Sequence, residues 1–389
     1  MFDARDFAIP QHPTRADAEA ALAVLMQLLE EFSFTKAADH AAALAAMLTA
    51  AVRPSLPTAP MFHVRAHMAG SGKSYLCDLI SAFATSRRSI PSSFPSDSEE
   101  CRKLILAELL RAPAVMLFDN LTGDLVAHKS LCTVLSSEYF NDRILSVSKT
   151  ATVSTRVLFL SSGNNVGPVQ DMARRTITIN LSPECEVPVT RTFKHPNLVL
   201  DVLRDRGRYV SAALTIVVAW IQAGRPQSAG RALAGYGDWS DLCRQPLLWL
   251  GCADPTTSVF EAIAADPDRE VFGRLLDAWQ SVFGKAPAMV RDALKYAQTS
   301  LDLREVLHEI AEERGEINRR KLGRWITRHA GRIVNGLRFV RASGNRSAEA
   351  WRVESVSSVS SDWVGLASKN GIAANASYAD AYARASGGE

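Results

Sequence analysis

The stretch His67-Met68-Ala69-Gly70-Ser71-Gly72-Lys73-Ser74 limits what this chain can fold into more than any other. It follows the apolar run Met61-Phe62-His63-Val64-Arg65-Ala66 and opens the helix-like segment Tyr75-Leu76-Cys77-Asp78-Leu79-Ile80, so strand, small-residue loop and helix succeed one another. That order builds a cradle for phosphate. Glycines let backbone N–H groups turn inward, a lysine meets the β- and γ-phosphates, and a hydroxyl at the positive end of a helix meets Mg²⁺. Gly70, Gly72, Lys73 and Ser74 supply these groups, with Ser71 between the glycines. His67 stands where the pattern GxxxxGK[ST] has its first glycine, which alters the first turn and leaves the phosphate-facing half intact. Gly-Lys-Ser alone is common by chance, so the rest of the chain has to support the assignment.

Support comes in order along the sequence. Ala114-Val115-Met116-Leu117-Phe118-Asp119-Asn120 reads as a buried strand ending in a carboxylate, about 45 residues after the loop. This is the form of a Walker B element, in which Asp119 holds Mg²⁺ together with Ser74; an apolar strand that merely ends in an Asp turn is the plain alternative. Asn120 follows where a water-activating glutamate is expected, and an amide cannot accept that proton. Either turnover is slow or the base comes from elsewhere, with Glu100 the first candidate and Glu99 or Glu108 behind it; a solvated Glu100 paired with Arg102 or Lys103 is the alternative. Arg143 to Arg156 alternates on both sides of a polar tip and predicts a β-hairpin. A strand over Val157 to Leu160 then ends in Ser161-Ser162-Gly163-Asn164-Asn165, where an amide can orient the attacking water; Asn164 is preferred to Asn165. Arg174 and Arg175 precede an alternating strand, Thr176 to Leu181, and such guanidiniums can reach a neighbouring subunit's γ-phosphate or be an ordinary surface pair.

Helical periodicity fills the flanks. Ala18 to Phe32 and Ala37 to Val52 predict two helices before Pro54, Pro57 and Pro60 stop them. Leu198 to Leu203 and Tyr209 to Gln222 predict lid helices, with Arg206 either a nucleotide-sensing arginine or a surface one. Toward the C-terminus the charge is uneven. Between Gly315 and Arg352 there are ten Lys or Arg against two acidic residues, a local +8, so the remainder sums to −5 within a total of +3. That points to a polyanion-binding module. Three short helical runs, Val290 to Ala297, Leu303 to Ala311 and Arg319 to Ala330, precede two strand-like runs, Arg332 to Val340 and Ala350 to Val353, and together predict a winged helix. Arg319, Arg320, Lys321, Arg324 and Arg328 lie on its third helix, Asn318 is a plausible N-cap for it, and Arg346 lies at the wing tip; a merely solvated basic face is the alternative.

The predicted organisation is a helical region over 1–59, an α/β core over 60–187, a helical lid over 188–269, a winged-helix domain over 270–354 and a Ser-, Ala- and Gly-rich disordered tail over 355–389. No apolar run approaches a membrane span, and Met1-Phe2-Asp3-Ala4-Arg5-Asp6 lacks a signal-peptide profile, so a cytoplasmic location is expected. The six cysteines have no metal-ligand spacing and are expected to be reduced, buried thiols.

Taken together the chain resembles the AAA+ ATPase modules of replication proteins of the primase/helicase type in phages, plasmids and other bacterial mobile elements. The likeness runs from about Ala18 to Val353 and rests on Leu48-Thr49-Ala50-Ala51-Val52-Arg53-Pro54, Ala69-Gly70-Ser71-Gly72-Lys73-Ser74, Glu100-Cys101-Arg102-Lys103, Phe118-Asp119-Asn120, Ser162-Gly163-Asn164-Asn165 and Asp171-Met172-Ala173-Arg174-Arg175. Arg191-Thr192-Phe193-Lys194-His195 and Ala223-Gly224-Arg225-Pro226 add to it. The resemblance implies ATP and Mg²⁺ as cofactors and a homo-oligomeric ring, a hexamer, that moves along DNA. It also implies that the hairpin is a pore loop, with Lys149 gripping the phosphates of one strand. No primase domain fits in residues 1–59, so priming would come from a separate partner or not occur. A second reading keeps the DNA and the ATP but not the motor: an ATP-switched initiator, loader or regulator without unwinding activity.

Overall fold

In the computed structural model, residues 7–145, 148–183, 194–228, 233–265, 267–342 and 350–356 are described. Arg346, Arg191 to Phe193, Cys185 and the tail from residue 357 lie outside them. The chain forms two compact units, divided between Ile263 and Ala264.

In the first unit, α1 (Arg15–Gln27) starts at a capping box in which the Thr14 hydroxyl accepts from Asp17 N and the Asp17 carboxylate accepts from Thr14 N. α2 (Ala37–Val52) is almost wholly buried and gives way to a single 3₁₀ turn at Arg53–Ser55, where Pro54 cannot continue it. There follow β1 (Met61–Ala66), α3 (Lys73–Ala84), β2 (Pro91–Ser92), α4 (Ser98–Leu109), β3 (Val115–Leu121), α5 (Lys129–Ser136), β4 (Tyr139–Arg143), β5 (Thr150–Ser154), β6 (Leu158–Asn164) and β7 (Thr176–Leu181). The unit closes with α6 (Leu198–Arg204), α7 (Arg206–Gln222), α8 (Gly237–Trp239), a π turn over Ser240–Arg244, α9 (Gln245–Trp249) and α10 (Thr257–Ala264).

The strands make a parallel five-stranded sheet in the order β2-β3-β6-β1-β7. Its inner strands are buried on both faces, which is why they read as unbroken apolar runs. Alternate residues go to opposite sides: Phe62, Val64, Leu117, Leu158 and Leu160 join a core with Leu25, Leu44, Ile80, Ile216 and Trp239, whereas Met61, Met116, Phe118 and Phe159 join one with Cys101, Ile105 and Leu131. One face is therefore covered by α1, α2, α3 and α7, and the other by α4 and α5. Arg53 is buried where the helical layer meets the start of β6, donating to the carbonyls of Val157, Leu56 and Thr155. Burial with a nearby Arg156 brings its guanidinium down to about 10.

One sheet edge is short and the other is covered. β2 is two residues long and starts at Pro91, which has no N–H to offer. Beyond β7, Thr35 N donates to Asn180 O at 3.1 Å and Ser182 N to Ser33 O at 2.8 Å, so the segment before α2 occupies that edge.

The hairpin differs from the expectation. Its first strand is Tyr139–Arg143, paired with Thr150–Ser154, so the pairing stops at Arg143 and Thr150. Arg102 of α4 pairs with Asp142 of β4, and Arg156 with Glu138 at the base of the hairpin, both at 2.7 Å.

The second unit contains α11 (Pro267–Phe283), β8 (Ala288–Met289), α12 (Val290–Tyr296), α13 (Leu301–Ala311), β9 (Glu312–Glu313), β10 (Glu316–Ile317), α14 (Arg319–His329), β11 (Leu337–Arg341) and β12 (Ala350–Ser355). β8, β12 and β11 form an antiparallel sheet over a core of Phe272, Trp279, Leu307, Phe339 and Trp351. α11 and β8 were not anticipated. The strand expected from Arg332 begins at Leu337, because Asn335 and Gly336 take φ of 51° and 76° and turn the chain first.

Candidate functional site

β1, β3 and β6 run in parallel and end at one rim of the sheet, with β6 between the other two, so the segments leaving all three meet. The loop from β1 to α3 reaches φ of 74° at Gly70 and 85° at Gly72, conformations that a side chain would strain. Ser71 and Lys73 are buried in it. Lys73 Nζ donates to Met68 O at 3.1 Å, and the Ser71 hydroxyl donates to the same carbonyl. Burial pulls the Lys73 ammonium below its ordinary range, and the Asp119 charge opposes that shift.

Ser74 Oγ donates to Asp119 Oδ1 at 2.9 Å. The same oxygen accepts from the Ser162 hydroxyl and from Asn120 N at 3.0 Å. Asp119 Oδ2 has no protein partner among the described residues, and no group of three His, Cys, Asp or Glu side chains with metal-site spacing occurs among them. A cation here would have the Ser74 hydroxyl and the Asp119 carboxylate and draw its other ligands from phosphate and water, the habit of Mg²⁺. Two positive-φ glycines, a buried lysine and a hydroxyl–carboxylate pair fit a magnesium-bound nucleoside triphosphate.

The position after Asp119 has a backbone reason to be asparagine. Between Phe118 and Leu121 the β3–β6 register shifts, and Asn120 takes φ of 56° in the resulting bulge, a left-handed conformation that asparagine tolerates better than glutamate. Glu100 lies exposed in the first turn of α4, ion-paired to Lys103 Nζ at 2.8 Å. Glu99 pairs with the same lysine and Glu108 with Arg111.

At the end of β6 the two asparagines differ. Asn164 sits opposite Ala66 with its Oδ1 buried and unpartnered among the described residues. Asn165 is bonded to His67 instead, its Oδ1 2.7 Å from His67 Nδ1 and its Nδ2 donating to His67 O at 3.3 Å. Beneath them, buried His63 of β1 bonds Ser161 Oγ at 2.8 Å and Val166 O at 3.0 Å. A Cβ at Gly163 would lie 2.2 Å from Val166 Cγ2, so a side chain there would force its neighbours to shift.

The paired arginines separate. Arg174 is half exposed and pairs with Asp171 at 2.5 Å. Arg175 is buried, with Nε donating to Ser136 Oγ at 2.9 Å and Nη1 held by the carbonyl and carboxylate of Asp171. Burial would raise the Asp171 carboxyl, and these two guanidiniums hold it below its ordinary range. Arg206 is also displaced from the expected role: Nε and Nη2 donate to Ala82 O and Phe83 O, both at 2.7 Å, capping the far end of α3 from the glycine loop. Lys149 is exposed at the hairpin tip, where its carbonyl accepts from Ile144 N.

In the second unit, Asn318 N-caps α14 by accepting from Arg320 N and Lys321 N. Leu322, Ile326 and His329 face the core, leaving Arg319, Arg320, Lys321, Arg324 and Arg328 exposed. Among the described residues none of the five pairs with a carboxylate; Lys321 Nζ donates to Glu312 O instead.

Sequence reasoning missed Ser162, His63, the Asn165–His67 pair and an aromatic flank of the loop. In that flank Phe32 stacks on Tyr75 at 6.3 Å and approaches the space above Gly72. Ser162 lay within a recognised motif, but only strand pairing shows its hydroxyl reaching Asp119.

No protein-family profile matches the chain, and no curated protein is similar to it. Among solved structures, the C-terminal region of NrS-1 in its A-form apo structure is similar at 11% identity and a TM-score of 0.43, over 92% of this chain and 79% of that one. A second structure of that region gives 12% and 0.40, over 90% and 78%. JCV helicase with a bound phenoxyphenyl acetamide gives 11% and 0.25, over 59% and 66%. Among the described residues no helix is long and apolar enough to cross a membrane.

Proposed function

We propose that this chain is an ATP-hydrolysing motor on DNA, a helicase or translocase working as a homo-oligomeric ring in the replication of a mobile element. In this reading residues 60–187 are the AAA+ core, 188–269 the lid and 270–354 the winged helix. The observation that carries it is the 2.9 Å approach of Ser74 to Asp119 beside a lysine folded into a positive-φ glycine loop. ATP with Mg²⁺ supplies the phosphoanhydride bond whose cleavage drives movement. Gly70 to Ser74 bind the phosphates, Ser74 and Asp119 hold the cation, and Asn164 orients water. Arg174 acts on the neighbouring copy, a role its exposure supports and the burial of Arg175 does not. Lys149 contacts a single strand, and the basic face of α14 contacts duplex phosphates.

The second reading, an ATP-switched DNA-binding protein that does not unwind, is favoured by one observation: no glutamate accompanies Asp119, and Glu100 is held by Lys103. DNA-stimulated ATP turnover with strand displacement separates the two. The motor requires both, and tight ATP binding with negligible turnover supports the switch. Lys73→Ala abolishes nucleotide binding; retained affinity would refute the site. Replacing Arg320, Arg324 and Arg328 with glutamine should flatten the dependence of log affinity on log salt by up to about 2.7 for duplex DNA. An unchanged slope would remove α14 from the interface.

A further inference from the structure

The glycine usual at the first turn of a phosphate loop is absent, and the structure contains what replaces it. His67 keeps an ordinary negative φ. Its peptide and ring are gripped by one residue from the next strand: Asn165 N donates to Ala66 O at 3.1 Å, Asn165 Nδ2 to His67 O at 3.3 Å, and Asn165 Oδ1 faces His67 Nδ1 at 2.7 Å. Because a carbonyl can only accept, Nδ2 must point at His67 O, so Oδ1 is the acceptor for the ring and Nδ1 carries the hydrogen. Asn165 takes φ of 52° to make all three bonds. It is in turn fixed from behind, since the next carbonyl, Val166 O, is bonded to His63 and Gly167 N donates to Asp124 at 3.0 Å.

We infer that His67 and Asn165 are positioning residues that form a clamp holding the phosphate loop in its binding shape, doing by side-chain bonding what the missing glycine does by backbone freedom. This rests on the nucleotide-binding reading above only for its effect on affinity. The clamp ties the loop to the strand end that leads through the Gln170–Met172 turn, which contains Asp171, to Arg174, so loop order and the position of Arg174 share one connection. It also reserves Asn165 for structure, leaving Asn164 as the amide available to a bound ligand.

The test uses the full chain and two readouts. Hydrogen exchange of the 67–71 amides, measured without nucleotide, reads the clamp itself; the Kd of a fluorescent ATP analogue with Mg²⁺ reads its consequence. Asn165→Ala and His67→Ala should each speed exchange and weaken the analogue about tenfold, and the double variant should do no worse than either single. His67→Asn, whose amide nitrogen replaces the Nδ1 donor, should restore protection. His67→Gly should not, although it recreates the usual pattern. Unchanged exchange in Asn165→Ala, or single effects that multiply in the double variant, would overturn the clamp. If the wild-type chain binds no analogue, the nucleotide reading fails, and the exchange data still judge the clamp.

Discussion

Acid should loosen the first unit through His63, by an amount that follows from its surroundings. Burial beneath the sheet rim lowers this imidazole to about 4 from an ordinary 6.5, with its bond to Val166 O working the other way and Arg65 adding to the drop. Val166 O accepts, so Nε2 carries the hydrogen and Nδ1 accepts from Ser161, an arrangement that suits the neutral ring. Between pH 6.5 and about 4 the unfolded chain takes up a proton that the folded one refuses. The stabilising contribution is therefore complete above pH 6.5 and falls away as pH drops toward 4, at about 1.4 kcal/mol per unit and roughly 3 kcal/mol in all. His40, also lowered to about 4 by burial, contributes in the same direction, so the pair gives about 2.7 kcal/mol per unit. His63→Gln retains an N–H for Val166 but cannot titrate. Opening free energies of β1 and β6 amides, taken from hydrogen exchange corrected for intrinsic rate, should fall half as steeply with acid in this variant between pH 6 and pH 4.5. Parallel slopes for the two proteins would refute the assignment of the acid response to His63.

Gly163→Ala should destabilise the first unit by about 1–3 kcal/mol in urea unfolding, because the new Cβ meets Val166 and the Leu121 backbone. Arg174→Ala should leave stability within about 0.5 kcal/mol while lowering ATP turnover, as its ion pair is exposed. Arg175→Ala should cost about 1–3 kcal/mol by stripping Ser136 and Asp171 of a buried partner, with any loss of turnover following the loss of fold. Asn120→Glu should lower the melting temperature and not raise turnover, since the left-handed bulge resists glutamate by about 1 kcal/mol; a faster enzyme would show that backbone strain does not govern this position.

Legibility in the sequence followed how local the cause was. Runs such as Phe118 to Val115 and Leu158 to Leu160 declared buried parallel strands, and strand order along the chain was enough to bring Ser74 and Asp119 to one rim. α11 left a readable signal, Phe272, Leu275, Leu276 and Trp279 at helical spacing, but Pro267 at its start reads equally as a linker. Adjacent residues of one type could not be told apart. Arg174 and Arg175, or Asn164 and Asn165, differ only in which way the chain turns, and that is set by Ser136, Asp171 and His67 from distant elements. Arg206 failed for a related reason: a helix-start arginine can serve a ligand or the orphan carbonyls of a neighbouring helix, and here it meets Ala82 and Phe83.

A two-residue strand headed by proline on one side and a strap at Ser33–Thr35 on the other leave the sheet little of a free row of donors and acceptors. Growing one continuous sheet through those borders is therefore disfavoured for copies of this chain. Assembly across those two borders would have to be held by side chains, so its strength should respond to salt and to single charge reversals.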